Sequence, residues 1–202
     1  MIYHQTMTPS WIETHASYID SSRASTAGQI TFNAGSIRDV ALFKVPIIPT
    51  GVLGLSTPLT VEITVANDVS IGKSIDSDVR YGVSDGAKFV GFQAPDKANY
   101  PSSSPCHGVE GTSGTTLTGI RLISNSSPRP TDSFYPGQFV FTLKVDERWG
   151  SCYTAHDGGF VKTAGYSSQL MLNKGLTLEV YKEGAGDRVG IKYIKFAITR
   201  DD

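Results

Sequence analysis

The sequence predicts an all-β protein, an antiparallel two-sheet β-sandwich with long loops and little helix. Three observations carry that expectation. Period-two alternation of apolar and polar residues recurs in three separate runs. No segment shows ten or more residues of apolar 3.6 periodicity, so any helix is a turn or two within a loop. Across 202 residues, 21 Gly and 10 Pro supply the turns that many short strands need. Strands spaced near ten residues, with long connections between them, favour a sandwich over an up-and-down barrel, whose turns are shorter.

In chain order, residues 1–28 are polar and read as a leading arm, with a first strand from Gln29 to Asn33. The run from Val45 to Leu55 is strongly apolar, yet its two prolines and two glycines forbid a regular central strand. Irregular backbone this apolar covers the core, meets a second subunit, or lines a pocket for an apolar ligand, through Pro46, Ile47, Ile48, Pro49, Val52 and Leu53. From Leu59 to Val65, Val61, Ile63 and Val65 alternate with Thr60, Glu62 and Thr64, the pattern of a half-buried strand. Val79 to Val83 and Lys88 to Phe92 flank Ser84-Asp85-Gly86-Ala87, where Asp-Gly provides the positive φ of a tight hairpin. Alternation returns at Phe139, Phe141, Leu143 and Val145 and at Leu176, Leu178 and Val180. In the last run the phase changes between Val189, Ile191, Tyr193 and Ile194, Phe196, Ile198, which predicts a β-bulge. No interior linker or repeat divides the chain, so residues 1–202 read as one domain.

Charge and length bound the function. With 18 basic and 19 acidic side chains the net charge is −1, which argues against general nucleic-acid or anionic-membrane binding. No run approaches the ~20 apolar residues of a membrane span. Two cysteines, Cys106 and Cys152, stand far apart in sequence, so paired-ligand zinc sites and Cys-x-x-Cys redox centres fail on spacing. One disulfide or two free thiols remain, and a bridge suits a secreted protein. The opening residues lack the basic and apolar regions of a signal peptide, so an extracellular protein would be numbered here in its mature form.

The catalytic patterns fail on context. Gly82-Val83-Ser84-Asp85-Gly86 matches the nucleophile elbow, but an elbow must lead into a helix and a strand follows here. Cys106 and His107 are neighbours on extended chain and point apart. His156-Asp157 could orient a general base, yet no motif marks a serine to complete it. The sequence therefore reads as non-enzymatic. Two binding patterns remain. Oxygen ligands for calcium cluster at Asn67, Asp68, Asp76 and Asp78, with Asp85 nearby, although Arg80 and Tyr81 break the EF-hand spacing. Sugar recognition needs aromatic faces beside hydrogen-bonding side chains, and Arg148, Trp149, Tyr153, His156, Asp157 and Tyr166 supply both kinds. Trp149 also continues the alternation set by Phe139 to Val145 onto the apolar face, which is a core role.

Leu176-Thr177-Leu178-Glu179-Val180-Tyr181, followed by Gly186-Asp187-Arg188-Val189-Gly190-Ile191-Lys192-Tyr193-Ile194-Lys195-Phe196, resembles the last two strands of jelly-roll sandwiches of the galactose-binding and carbohydrate-binding-module kind. Those modules often end in an apolar strand that pairs with the beginning of the chain. The resemblance implies a jelly roll and an extracellular, lectin-like carbohydrate binder. Two other readings stand beside it. One is a carrier of an apolar small molecule, a carotenoid-like pigment or a lipid, held at residues 45–55 between subunits of a homo-oligomer. The other is a structural or adhesive matrix protein.

Overall fold

The computed structural model describes residues 1–33, 37–55, 57–67, 79–94, 107–123, 138–145, 149–154, 160–162, 165–182 and 189–201. In chain order the elements are β1 (Tyr3–Met7), α1 (Pro9–His15), β2 (Tyr18–Ile19), β3 (Ala24–Ser25), β4 (Ile30–Phe32), β5 (Ala41–Ile48), β6 (Leu59–Asn67), β7 (Val79–Ser84), β8 (Lys88–Ala94), β9 (His107–Thr112), β10 (Thr118–Ile123), β11 (Gln138–Lys144), β12 (Trp149–Thr154), β13 (Phe160–Lys162), β14 (Leu176–Lys182) and β15 (Val189–Arg200), with a 3₁₀ turn at Leu172–Lys174. The strands pair antiparallel into two sheets. The eight-stranded sheet runs β13-β12-β11-β6-β15-β4-β3 with β1 also on β15, and the seven-stranded sheet runs β10-β9-β8-β7-β14-β5-β2. This is the expected sandwich.

The core lies where the apolar sides of the alternating strands meet. Val61, Ile63 and Val65 of β6 and Ile194, Phe196 and Ile198 of β15 face Val83, Tyr81, Phe43, Val45, Leu178 and Val180 of the other sheet in one buried cluster. Each such side chain contributes about 1.5–3 kcal/mol of burial free energy. The predicted bulge is present. Ile191 pairs with Asn67 and Tyr193 with Ala66, so Lys192 is the extra residue on β15. Without it, a single alternation could not bury both Ile191 and Ile194. The hairpin is also as expected: Asp85 Oδ1 accepts from the Ala87 and Lys88 amides at 2.9 and 2.8 Å, and Gly86 takes φ 92°.

Two expectations are corrected. Far from being a leading arm, residues 1–28 are built into both sheets: β1 pairs with β15, β2 with β5 and β3 with β4. Thr8 caps α1 by accepting from the Trp11 amide, and Pro9 opens the helix where no N–H partner is required. The apolar run around Pro46 does form a strand. β5 pairs with β14 throughout, while β2 covers it only at Phe43 and Lys44, so at Pro46 that edge is open and the missing N–H costs no ladder bond. The β14 pairing shifts register between Leu176 and Thr177, opposite Ile48 and Pro46. Ile47 and Ile48 enter the core, Leu53 packs against it, and Pro46, Pro49 and Val52 are exposed.

Gly82 and Gly91 are cross-strand partners where β7 and β8 approach very closely. A Cβ added at Gly91 would lie 2.1 Å from the Tyr81 carbonyl oxygen, and one at Gly82 2.3 Å from that of Val90. Both contacts are with backbone and cannot be relieved by a rotamer change. Gly91→Ala should therefore cost about 3 kcal/mol or more, or abolish folding. Gly28→Ala, which meets nothing within 4 Å, should leave the midpoint of thermal unfolding nearly unchanged. Equal midpoints for the two variants would refute the close approach.

Candidate functional site

Each sheet has an outer face, and the two differ in access. On the seven-stranded sheet, register places Arg80, Ser84, Phe89, Gln93, Glu179 and Tyr181 away from the main core. All are nonetheless at most 4% exposed. Residues 113–117, between β9 and β10, fold back over part of this face, beside Phe89, Glu179 and Tyr181. Thr115 accepts from the Ala41 amide, the Leu117 amide donates to Asp39, and Val40 bridges to Thr116. Leu117 then packs with Ala41, Phe89, Val109 and Tyr181 in a second apolar cluster.

Beneath that loop, the Glu179 carboxylate accepts from Ser84 Oγ at 2.7 Å, from Ser113 Oγ at 2.7 Å and from the Tyr181 hydroxyl, with Lys44 Nζ at 3.3 Å. Burial, then the Glu179 charge and the hydrogen bond to it, push the Tyr181 hydroxyl far above its ordinary pKa. Arg80 donates to Gln93 at 2.8 Å and pairs with Asp39, which adopts φ 58°. These groups are satisfied by one another. They act as a fastening for the loop, since a buried carboxylate left without donors would cost several kcal/mol, of order 3–5.

A second fastening involves Glu110. Its carboxylate accepts from the Ser167 and Ser168 amides at 2.9 and 3.0 Å, from Arg121 Nε at 2.7 Å and from Ser167 Oγ. Tyr166, expected on an exposed loop, is 5% exposed; its hydroxyl donates to the Gly91 carbonyl at 2.7 Å and its ring sits edge-on to Phe92. That is a structural position, with no open ring face for a sugar. Tyr166 also lines a cavity of only about 10 Å³ with Val90, Leu143, Val145, Ser168 and Leu170. Ligand pockets usually measure about 300–1,000 Å³.

The outer face of the eight-stranded sheet is partly accessible at its described residues. Thr60 and Thr64 of β6, Thr142 and Lys144 of β11 and Ala197 of β15 are half-buried, while Glu62 and Lys195 are exposed. Register extends the same face to the sheet's edge: Trp149 lies opposite Lys144, Ser151 opposite Thr142, Tyr153 opposite Val140, Phe160 opposite Tyr153 and Lys162 opposite Ser151. Trp149 therefore does not continue the apolar alternation of Phe139 to Val145. β11 ends at Lys144 and β12 pairs back on it, which places position 149 in a polar row. In that row, Asp201 accepts from Thr60 Oγ1 at 2.8 Å and from Lys144 Nζ at 3.1 Å. Burial raises the Asp201 pKa, but the bonds from Thr60 and Lys144 outweigh it and hold the carboxyl below its usual range.

Arg148, His156, Asp157, Asp68, Asp76, Asp78 and Cys106 lie outside the described residues, while Cys152 falls on β12 between Phe141 and Val161 in the ladder. Among the described residues no three His, Cys, Asp or Glu side chains group to hold a metal, and no helix is long and apolar enough to cross a membrane. Sequence reasoning missed the outward residues Lys192, Tyr193 and Lys195 of β15 as candidates. The phase change between Ile191 and Ile194 was the signal that could have found them.

No protein-family model and no curated protein matches the chain. Among solved structures, the chain is similar to a lectin from Bauhinia forficata in complex with GalNAc, at 6% identity and TM-score 0.51, covering 99% of each chain. It is likewise similar to a prokaryotic β-1,3-1,4-glucanase (lichenase) derived from a mouse hindgut metagenome, at 5% identity and TM-score 0.51, covering 96% of this chain and 99% of that one. The likeness is one of fold, and the fold is a jelly-roll sandwich.

Burial raises the Glu110 pKa, and the bonds from Ser167, Ser168 and Arg121 outweigh it and hold the carboxyl below its ordinary value. Its stabilising contribution is therefore complete above the unfolded pKa of about 4.3 and is lost as pH falls through the folded value. Glu110→Gln should lower stability to urea at pH 7 and flatten its decline between about pH 5 and pH 3. An unchanged acid slope would show that the carboxylate is not held this way.

Proposed function

We propose that this protein binds carbohydrate without transforming it, in an extracellular setting, on the outer face of the eight-stranded sheet. The carrying observation is the register that sets positions Trp149, Tyr153 and Phe160 on the outer side of the eight-stranded sheet, in line with Thr142, Lys144, Ser151 and Lys162. Aromatic groups cover the apolar C–H face of a pyranose, and hydroxyl and ammonium groups bond its hydroxyls. The fold does not choose between binding and hydrolysis, since the same architecture serves a lectin and a glucanase. The carboxylates favour binding. Glycoside hydrolysis uses two carboxyl groups about 5–9.5 Å apart across the scissile bond. Glu110 and Glu179 are buried in fastenings, and Asp201 is held by Thr60 and Lys144. That leaves Glu62 as the exposed acid of this face among the described residues.

The apolar segment offers less to a carrier, because Ile47 and Ile48 are spent on the core. Trp149→Ala and Tyr153→Ala should each weaken retention on immobilised glycans about tenfold, with thermal stability and near-ultraviolet circular dichroism preserved. Loss of fold in Trp149→Ala would assign that residue to the core. Full retention in both variants would remove the platform. Native mass spectrometry supplies a separate arm: an excess of several hundred daltons lost on denaturation would favour an apolar cargo, and one near 40 Da a calcium ion.

A further inference from the structure

We propose that the glycan is acidic, carrying uronate carboxylates or sulfate esters, and that Lys192 and Lys195 of the bulged β15 select for its charge. This rests on the reading that the outer face of the eight-stranded sheet binds glycan. The bulge is the first observation. It sets two successive residues of β15 against the single position Ala66, so Lys192 is exposed and Tyr193 half-buried between the buried Ile191 and Ile194. A bulge re-aims a side chain that plain alternation would send into the core. The result is a strip in which two exposed ammonium groups flank an aromatic ring, with Lys195 Nζ 5.5 Å from the Tyr193 centroid.

Placement is the second observation. Tyr153, Val140, Thr64 and Lys195 are successive register partners across β12, β11, β6 and β15. Three strand spacings separate the ends of this row, about 14 Å, the span of a short oligosaccharide. A chain lying across the strands would meet an aromatic position at one end and an ammonium group at the other.

Charge is the third. Among the described residues, register and exposure put Lys144, Lys162, Lys192 and Lys195 on this face against Glu62 and Asp201, whereas the whole chain sums to −1. Asp201 is committed to Lys144, and among the described residues neither Lys192 nor Lys195 makes an ion pair. An ammonium group is a compact donor that bonds a carboxylate or a sulfate oxygen equally well, with charge assistance. Tyr193 positions Lys195 through its ring face.

The test is affinity electrophoresis of the full chain through gels containing polygalacturonate, chondroitin sulfate or neutral mixed-linkage β-glucan. Stronger retardation by an acidic gel, relieved by 0.5 M salt (a Debye length of about 4 Å), is expected. Comparing the two acidic gels separates carboxylate from sulfate recognition. K192Q/K195Q should lose about five- to tenfold in apparent affinity for the acidic glycan while keeping the wild-type unfolding midpoint. Equal retardation by neutral and acidic gels, or an unchanged double variant, would overturn the charge selection and leave the aromatic platform standing. No retardation in any gel would overturn both. Equal, equally salt-sensitive retardation by duplex DNA would show a general response to polyanions and overturn the glycan assignment.

Discussion

The register of β15 is the constraint on which the rest of the molecule depends. This twelve-residue strand pairs with β6 along one side and with β4 and then β1 along the other, so it joins the two ends of the chain at the middle of one sheet. Its two halves differ in phase, and the extra residue at Lys192 reconciles them. Ile191 reaches the core on one side of the bulge and Ile194, Phe196 and Ile198 on the other. A one-residue slip in either half would turn its apolar side chains to water and its lysines inward, at a cost of several kcal/mol, from about 1.5–3 for each misplaced residue.

With that strand fixed, the two outer faces follow different physics. The seven-stranded sheet closes its outer face with its own loop. The closure works because Glu179 and the Arg80 pair find complementary donors and acceptors, and because Leu117 adds an apolar contact above Phe89 and Tyr181. Buried ion pairs are weak sources of net stability, but they fix geometry, because each partner left alone is penalised. The eight-stranded sheet has no such cover among its described outer-face residues. Its polar rows are separated from the core by the sheet itself, so side chains on this face can vary with little effect on folding. A surface whose composition is free in this way is where a binding function can be added to a fold.

The sequence made the local features legible and hid those set by distant chain. The alternation of β6 and β14, the Asp85-Gly86 turn and the bulge at Lys192 are all written within a few residues of where they act. β1 was not legible, because Gln5 interrupts its inward side between Tyr3 and Met7, and its strand character comes from Ile194, Phe196 and Ile198 at the other end of the chain. α1 was marked only by Thr8-Pro9, a signal too short for periodicity to detect. β7 was legible as one arm of a hairpin, but the burial of all six of its residues was not, since Ser84 reaches Ser113 only through Glu179 of a distant strand. At Pro46 the prolines argued against a central strand. The strand exists because β2 stops short of that position, which no local pattern records. The site shows the same division. Tyr166 carried the right chemistry for sugar binding but lies under Gly91, and Trp149 looked apolar in phase until the chain turned and paired it with Lys144.

The bulge therefore has two consequences that cannot be separated. Shifting the phase of β15 keeps Ile191 in the core, and the residue that accomplishes it, Lys192, must stand outside next to Tyr193. Any side chain at position 192 would satisfy the packing requirement, since it is exposed. Packing accordingly explains why an extra residue is there but not why it is a lysine, nor why another lysine follows on the same face with its ammonium group over the intervening ring. In a chain whose charges nearly cancel, two exposed cations stand on this strip without acidic partners among the described residues, and folding does not require them. An acidic glycan bonding both supplies, with charge assistance, the partner that each lacks among the described residues.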